Sequence, residues 1–116
     1  METSVTRVFT FEAAHELPWH PGKCQRLHGH SYRLEITVQG AIRPDGMVID
    51  FGELRQLVDR EIIDRYDHRY LNDLVDNPTA ELLAQEIGKR LEASGLPIRR
   101  LRLWETANCM VEIALS

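Results

Sequence analysis

Three histidines and a cysteine crowd the first third of the chain: His15, Cys24 and the pair in His28-Gly29-His30. Imidazole and thiol are the side chains that bind borderline metals and move protons near neutral pH, so their placement decides what chemistry is open to them. Successive strand residues point to opposite faces. In the run from Val5 to Glu12 the odd positions Phe9 and Phe11 are apolar against Thr10 and Glu12, and that parity continues through Ala13 to His15. In the run from Tyr32 to Gln39, Tyr32, Leu34, Ile36 and Val38 alternate with Arg33, Glu35, Thr37 and Gln39, and the even parity runs back through His30 to His28. Antiparallel pairing of the two runs brings all three imidazoles together on the apolar face. Three neutral imidazoles in a half-buried place are the ligand set of a catalytic zinc site, one Zn²⁺ per chain, whose fourth position is left to water or substrate. A single strand histidine is more commonly a core or surface residue, and that is the reading for His20.

The elements that must hold these residues follow from pattern. Arg43-Pro44-Asp45-Gly46 is a turn after the second strand. Asp50 caps a helix with Glu53 three residues on, and Leu54, Leu57, Val58, Ile62 and Tyr66 recur at helical spacing until the helix ends near Asp67-His68. Asn77-Pro78-Thr79 opens a second helix, with Pro78 suited to its first turn, and Gly95 with Pro97 stops it. Two further strands carry Leu101 and Leu103, then Cys109, Val111, Ile113 and Leu115, on their apolar faces. The order is ββααββ, an α+β fold with a four-stranded antiparallel sheet and two helices on one face. Glu105 shares the parity of Leu101 and Leu103, so a carboxylate continues the apolar face at a strand end. Such a group either turns out to water or accepts N–H groups from a ligand.

A chain of 116 residues suits a single domain spanning residues 1–116. A net charge of −4 argues against nucleic acid or a membrane surface as the main partner, so a phosphate on a substrate must be held locally. Two cysteines are too few for a secreted disulfide framework. No basic segment followed by an apolar stretch opens the chain, and no apolar run reaches spanning length. The expectation is a cytoplasmic protein with reduced thiols.

His15, Cys24-Gln25-Arg26-Leu27-His28-Gly29-His30, Asp67-His68, Asn77-Pro78-Thr79-Ala80-Glu81 and Glu105-Thr106 occur in this order along essentially the whole chain. Together they resemble the 6-pyruvoyltetrahydropterin synthase superfamily, and within it the 6-carboxytetrahydropterin synthase branch of queuosine biosynthesis. Three residues separate Cys24 from His28, as in the carboxy branch, where the pyruvoyl branch typically has five. Phe11-Glu12-Ala13-Ala14-His15 also looks like the carboxy branch.

The resemblance implies the tunnelling fold, in which trimers enclose a twelve-stranded barrel and pair into homohexamers with active sites between subunits. It implies a lyase that converts 7,8-dihydroneopterin triphosphate to 6-carboxytetrahydropterin, acetaldehyde and triphosphate, with zinc on His15, His28 and His30. Cys24 matches the general base, His68 the acid/base, Asp67 the residue orienting it, and Glu105 the pterin anchor. Thr79 matches a pterin contact from a neighbouring subunit and also suits a helix cap. Lys23, Arg26 and His20 are candidates for the triphosphate. Simpler roles stand beside these: Cys24 as a fourth ligand of a closed zinc site, Asp67-His68 as a solvated helix end, and the loop cations as a solvated face. Trp104 reads as packing or interface surface, and Cys109 as a buried small hydrophobe. A pyruvoyl-type synthase, or a zinc- or pterin-binding protein without catalysis, are the alternative functions.

Overall fold

In a computed structural model that describes residues 1–115, the chain forms a five-stranded sheet with helices on one face. Strand β1 (Thr3–His15) and strand β2 (His28–Gly40) form an antiparallel ladder of thirteen residues each. Strands β4 (Ile98–Thr106) and β5 (Cys109–Ala114) continue the sheet beyond β2. On the other side of β1 lies β3 (Arg69–Tyr70), two residues long and parallel to it, giving the order β3-β1-β2-β4-β5. The sheet is therefore mixed and has one strand more than the alternation indicated. Two residues are too few to show a period of two.

The parities hold where they matter. Phe9, Phe11, Ala13 and His15 of β1 and Tyr32, Leu34, Ile36 and Val38 of β2 are buried against the helices, with Leu101 and Leu103 of β4. At the far end of the ladder His15 pairs with His28 and Ala13 with His30. A β-bulge between Trp104 and Thr106 breaks the register beyond. Cys109 lies past it at the start of β5 and is exposed, so it is not the buried hydrophobe that alternation suggested.

The first helical stretch runs through α1 (Phe51–Val58), a π turn (Asp59–Ile63) and α2 (Asp64–Tyr66). The Asp50 carboxylate accepts from the Glu53 amide and caps it. Leu54, Val58, Ile62 and Tyr66 are all fully buried. Residues four apart drift by about 40° per step on a regular α-helix, and the wider π turn takes back part of that drift. The last helix, α3 (Ala80–Ala93), packs Leu83, Ala84, Ile87 and Leu91 on the core and ends at Gly95, whose φ of 87° favours glycine. Pro78 lies before the Thr79 cap rather than inside the first turn, where its carbonyl is free for another partner.

The Thr79 hydroxyl accepts from the Leu82 amide at 3.1 Å. Thr79→Ala is expected to lower the unfolding free energy by about 1 kcal/mol in urea titrations, and Thr79→Ser to restore most of it.

Candidate metal centre and its surroundings

The hairpin delivers the three imidazoles, and backbone carbonyls aim two of them. His15 Nδ1 lies 2.7 Å from the Pro78 carbonyl oxygen, and His28 Nδ1 lies 2.7 Å from that of Arg26. A carbonyl only accepts, so each Nδ1 carries a hydrogen and each neutral ring presents its Nε2 lone pair inward. Those two Nε2 atoms are 3.0 Å apart. Two lone pairs facing each other at that distance need a proton or a cation between them.

Glu105 completes the group. Its Oε1 lies 2.8 Å from His30 Nε2 and 3.3 Å from His15 Nε2. His30 Nε2 is buried, and its contact with Glu105 is not aligned as a hydrogen bond, so the atom has no hydrogen-bond partner. One donor atom from each of His15, His28, His30 and Glu105 falls within 4.8 Å of every other. Imidazoles preset by carbonyls, an orphaned nitrogen and a carboxylate fit a zinc ion chemically. Beneath the rings, Tyr32 stacks on Phe11 at 5.0 Å, with its ring 5.6 Å from that of His30. The Tyr32 hydroxyl is buried without a partner, and burial, reinforced by the Glu105 charge, pushes its pKa well up.

Titration of the group is coupled. A hydrogen bond with His15 holds the Glu105 carboxyl below the ordinary 4.5 against the opposing effect of burial, and the neighbouring imidazoles add to the lowering. Burial pushes His15 down, but the hydrogen bond to Glu105, the Pro78 carbonyl and the Glu105 charge outweigh it, so its pKa lies above 6.5. Burial, helped by the charges of His15 and His28, takes His30 the other way despite Glu105.

Side-chain amides tie the strand end to the far segment. Asn72 accepts from the Glu16 amide at 3.0 Å and donates to the Glu16 carbonyl at 2.8 Å, and Trp19 Nε1 donates to Asn77 Oδ1 at 2.9 Å. Cys24 sits in a short 3₁₀ turn (Lys23–Gln25), and its carbonyl accepts from the Leu17 amide. It is half-buried and not a member of the ligand group, which disfavours a closed His₃Cys site. Lys23 and Arg26 are exposed in this loop, and His20 Nδ1 accepts from the Gly22 amide.

Asp67 and His68 are in contact at the end of the first helical stretch. Asp67 Oδ2 is 3.0 Å from His68 Nδ1, and Oδ1 accepts from the Glu12 amide at 2.9 Å. The Glu12 amide and then His68 hold the Asp67 carboxyl below its ordinary range. His68 takes a left-handed backbone, φ 58°, and its amide donates to the Glu12 carbonyl at 2.5 Å. His30 and His68 border one hollow of about 490 Å³, with Glu12, Ser31 and Tyr70 on its walls.

The family model for 6-pyruvoyl tetrahydropterin synthase matches residues 4–115. The chain belongs to that family of enzymes. A 6-carboxy-5,6,7,8-tetrahydropterin synthase from Synechocystis is 42% identical over 80% of this chain and 78% of its own. A dihydroneopterin monophosphate aldolase from Pyrococcus furiosus is 37% identical over 90% of each. The structure of Caenorhabditis elegans 6-pyruvoyl tetrahydropterin synthase superposes with a TM-score of 0.87 and 25% identity, covering 100% of this chain and 97% of that one.

Within this family frame, what pattern reading missed is the supporting layer: the carbonyls of Pro78 and Arg26, and Asn72 and Asn77. The carbonyls are invisible in residue type. The asparagines carry no periodic signal.

The signs of three shifts set how the metal-free protein responds to pH. A lowered Glu105 pKa contributes stability that is present above 4.5 and lost as pH falls through the lowered value. A raised His15 pKa contributes stability that is present below 6.5 and lost as pH rises through the raised value. A lowered His30 pKa works the other way and costs stability as pH falls below 6.5. Chelator-treated protein should therefore show its highest urea midpoint near pH 6.5. Added zinc should move the maximum to higher pH, because the metal competes with the His15 proton.

Proposed function

We propose that the chain is a zinc-dependent 6-carboxy-5,6,7,8-tetrahydropterin synthase, a lyase that converts 7,8-dihydroneopterin triphosphate to 6-carboxytetrahydropterin, acetaldehyde and triphosphate in queuosine and 7-deazapurine biosynthesis. The observation that supports it most directly is the convergence of the His15, His28 and His30 nitrogens beside the Glu105 carboxylate. Bound there, zinc supplies Lewis acidity that lowers the pKa of side-chain hydroxyls on the substrate. His15, His28 and His30 would hold the ion, and the Glu105 carboxylate would then present two acceptor oxygens to the ring N–H and amine of a pterin. Thr79 adds a contact to the pterin beside its capping role.

Cys24 acts as the general base from its loop. His68 gives or takes the second proton at its ring nitrogen, and Asp67 at Nδ1 holds its tautomer. His68 faces the same hollow as His30, which is the arrangement a shared substrate needs.

A homohexamer built as a dimer of trimers suits the sheet. Among the described residues strand β5 pairs only with β4, so every second residue of this six-residue strand offers its backbone N–H and C=O to a second copy. The reaction is placed in the cytoplasm. No helix among the described residues is long and apolar enough to cross a membrane.

Mass spectrometry of the products formed by zinc-loaded protein from 7,8-dihydroneopterin triphosphate tests the reading. Carboxytetrahydropterin with acetaldehyde is the expected result. A pyruvoyl product assigns the sister activity, cleavage that requires the monophosphate assigns the aldolase activity, and unchanged substrate leaves a binding protein. Cys24→Ala should lower kcat by about a hundredfold or more with full zinc content. Glu105→Gln should keep zinc and lose pterin affinity. Loss of zinc in that variant would make Glu105 a ligand instead.

A further inference from the structure

A second hollow, of about 290 Å³, lies between the π turn, β3 and α3, away from the ligand group. Four arginines line it: Arg60 from the π turn, Arg65 from α2, Arg69 from β3 and Arg90 from α3. Against them stand two carboxylates, Glu61 and Asp64, so a chain of net charge −4 reverses its sign here. Glu61 is engaged by Arg60 at 3.3 Å. Arg90 reaches the Glu61 carbonyl at 3.4 Å and Glu86 only at 3.9 Å. Among the described residues, Arg65 and Arg69 form no ion pair. The Arg65 guanidinium carbon lies 5.6 Å from the centre of the Tyr66 ring, and its Nε is buried with no acceptor. A guanidinium seated against an aromatic ring, with its Nε turned into the protein and no carboxylate paired to it, is preorganised for an anion that brings several oxygens to its outer nitrogens.

Arg69 also borders the larger hollow that holds His68 and His30. An anionic chain lying among the arginines thus ends beside the acid/base pair. One phosphate group would engage one or two of these forks, whereas guanidiniums arrayed around a space of this volume match a chain of phosphates.

We infer that this arginine-lined hollow is a polyphosphate subsite in which Arg65 and Arg69 make the principal contacts. Its use for the triphosphate tail of the substrate rests on the function proposed above; its affinity for the anion does not. The subsite is an alternative to Lys23, Arg26 and His20 as the place where the phosphates are held, and it favours a triphosphate over a monophosphate substrate.

Calorimetric titration of the zinc-loaded full chain with inorganic triphosphate, and separately with inorganic phosphate, tests this. Triphosphate should bind more tightly than phosphate, with an affinity that falls as salt rises. Arg69→Gln, an exposed position, and Arg65→Gln should each weaken triphosphate by about tenfold, with zinc content unchanged. In turnover the loss should fall on KM more than on kcat, and inorganic triphosphate should compete with the substrate. Native-like triphosphate affinity in both variants, or equal affinity for phosphate and triphosphate, overturns the subsite. Turnover with a KM unmoved by Arg69→Gln overturns it while leaving the synthase reading intact. Triphosphate binding through these arginines without turnover leaves the subsite and removes the synthase.

Discussion

Two imidazole nitrogens aimed at each other across 3.0 Å are the constraint around which the rest of the protein is arranged. Each ring is held from behind by a carbonyl, so neither can turn away to relieve the contact. The fold supplies the price in two forms, a proton shared with Glu105 or a divalent cation. Everything that fixes the far end of the hairpin serves this geometry: the thirteen-residue ladder, the Asn72 clamp on Glu16, and Pro78 seated just before the α3 cap. A looser strand end would let the rings separate and disperse the four ligand atoms.

The sequence carried most of this because period-two alternation is a strong signal over long strands. His15, His28 and His30 were placed on one face by parity alone, and the ladder pairs them as parity required. Glu105 stood out because a carboxylate continued an apolar stripe, and it is in fact drawn in by the histidines. Alternation fails where strands are short or bulged, so β3 was not legible and the exposed Cys109 was assigned to the interior. The roles of Cys24, Asp67 and His68 came from resemblance, since neither a loop cysteine nor an adjacent Asp-His says anything by spacing. The arginine hollow was illegible for a different reason. Its members come from four elements, and no local pattern joins Arg60 to Arg90.

Charge is distributed in a way the net value conceals. The metal group gathers imidazoles around one carboxylate, the helical side gathers guanidiniums, and the polar sheet face is laced by Arg102, Glu112, Glu35 and Arg33 in alternating sign. Arg33 also lies over Trp104 at 5.0 Å, so this face is ordered rather than merely solvated. In an acidic protein the local field at such a cluster of guanidiniums is positive because distant carboxylates are screened by salt.

The π turn between α1 and α2 is the place where this helix can change length. Each residue added to or removed from an α-helix rotates everything downstream by about 100°. A π turn holds one residue more than the α-helical turn it replaces, so removal of one residue between Asp59 and Ile63 would return the stretch to a regular α-helix and leave Tyr66 in the core. The same removal within α1 would rotate Ile62 and Tyr66 off the core together. A change of length in this helix is therefore absorbed at the π turn or not at all.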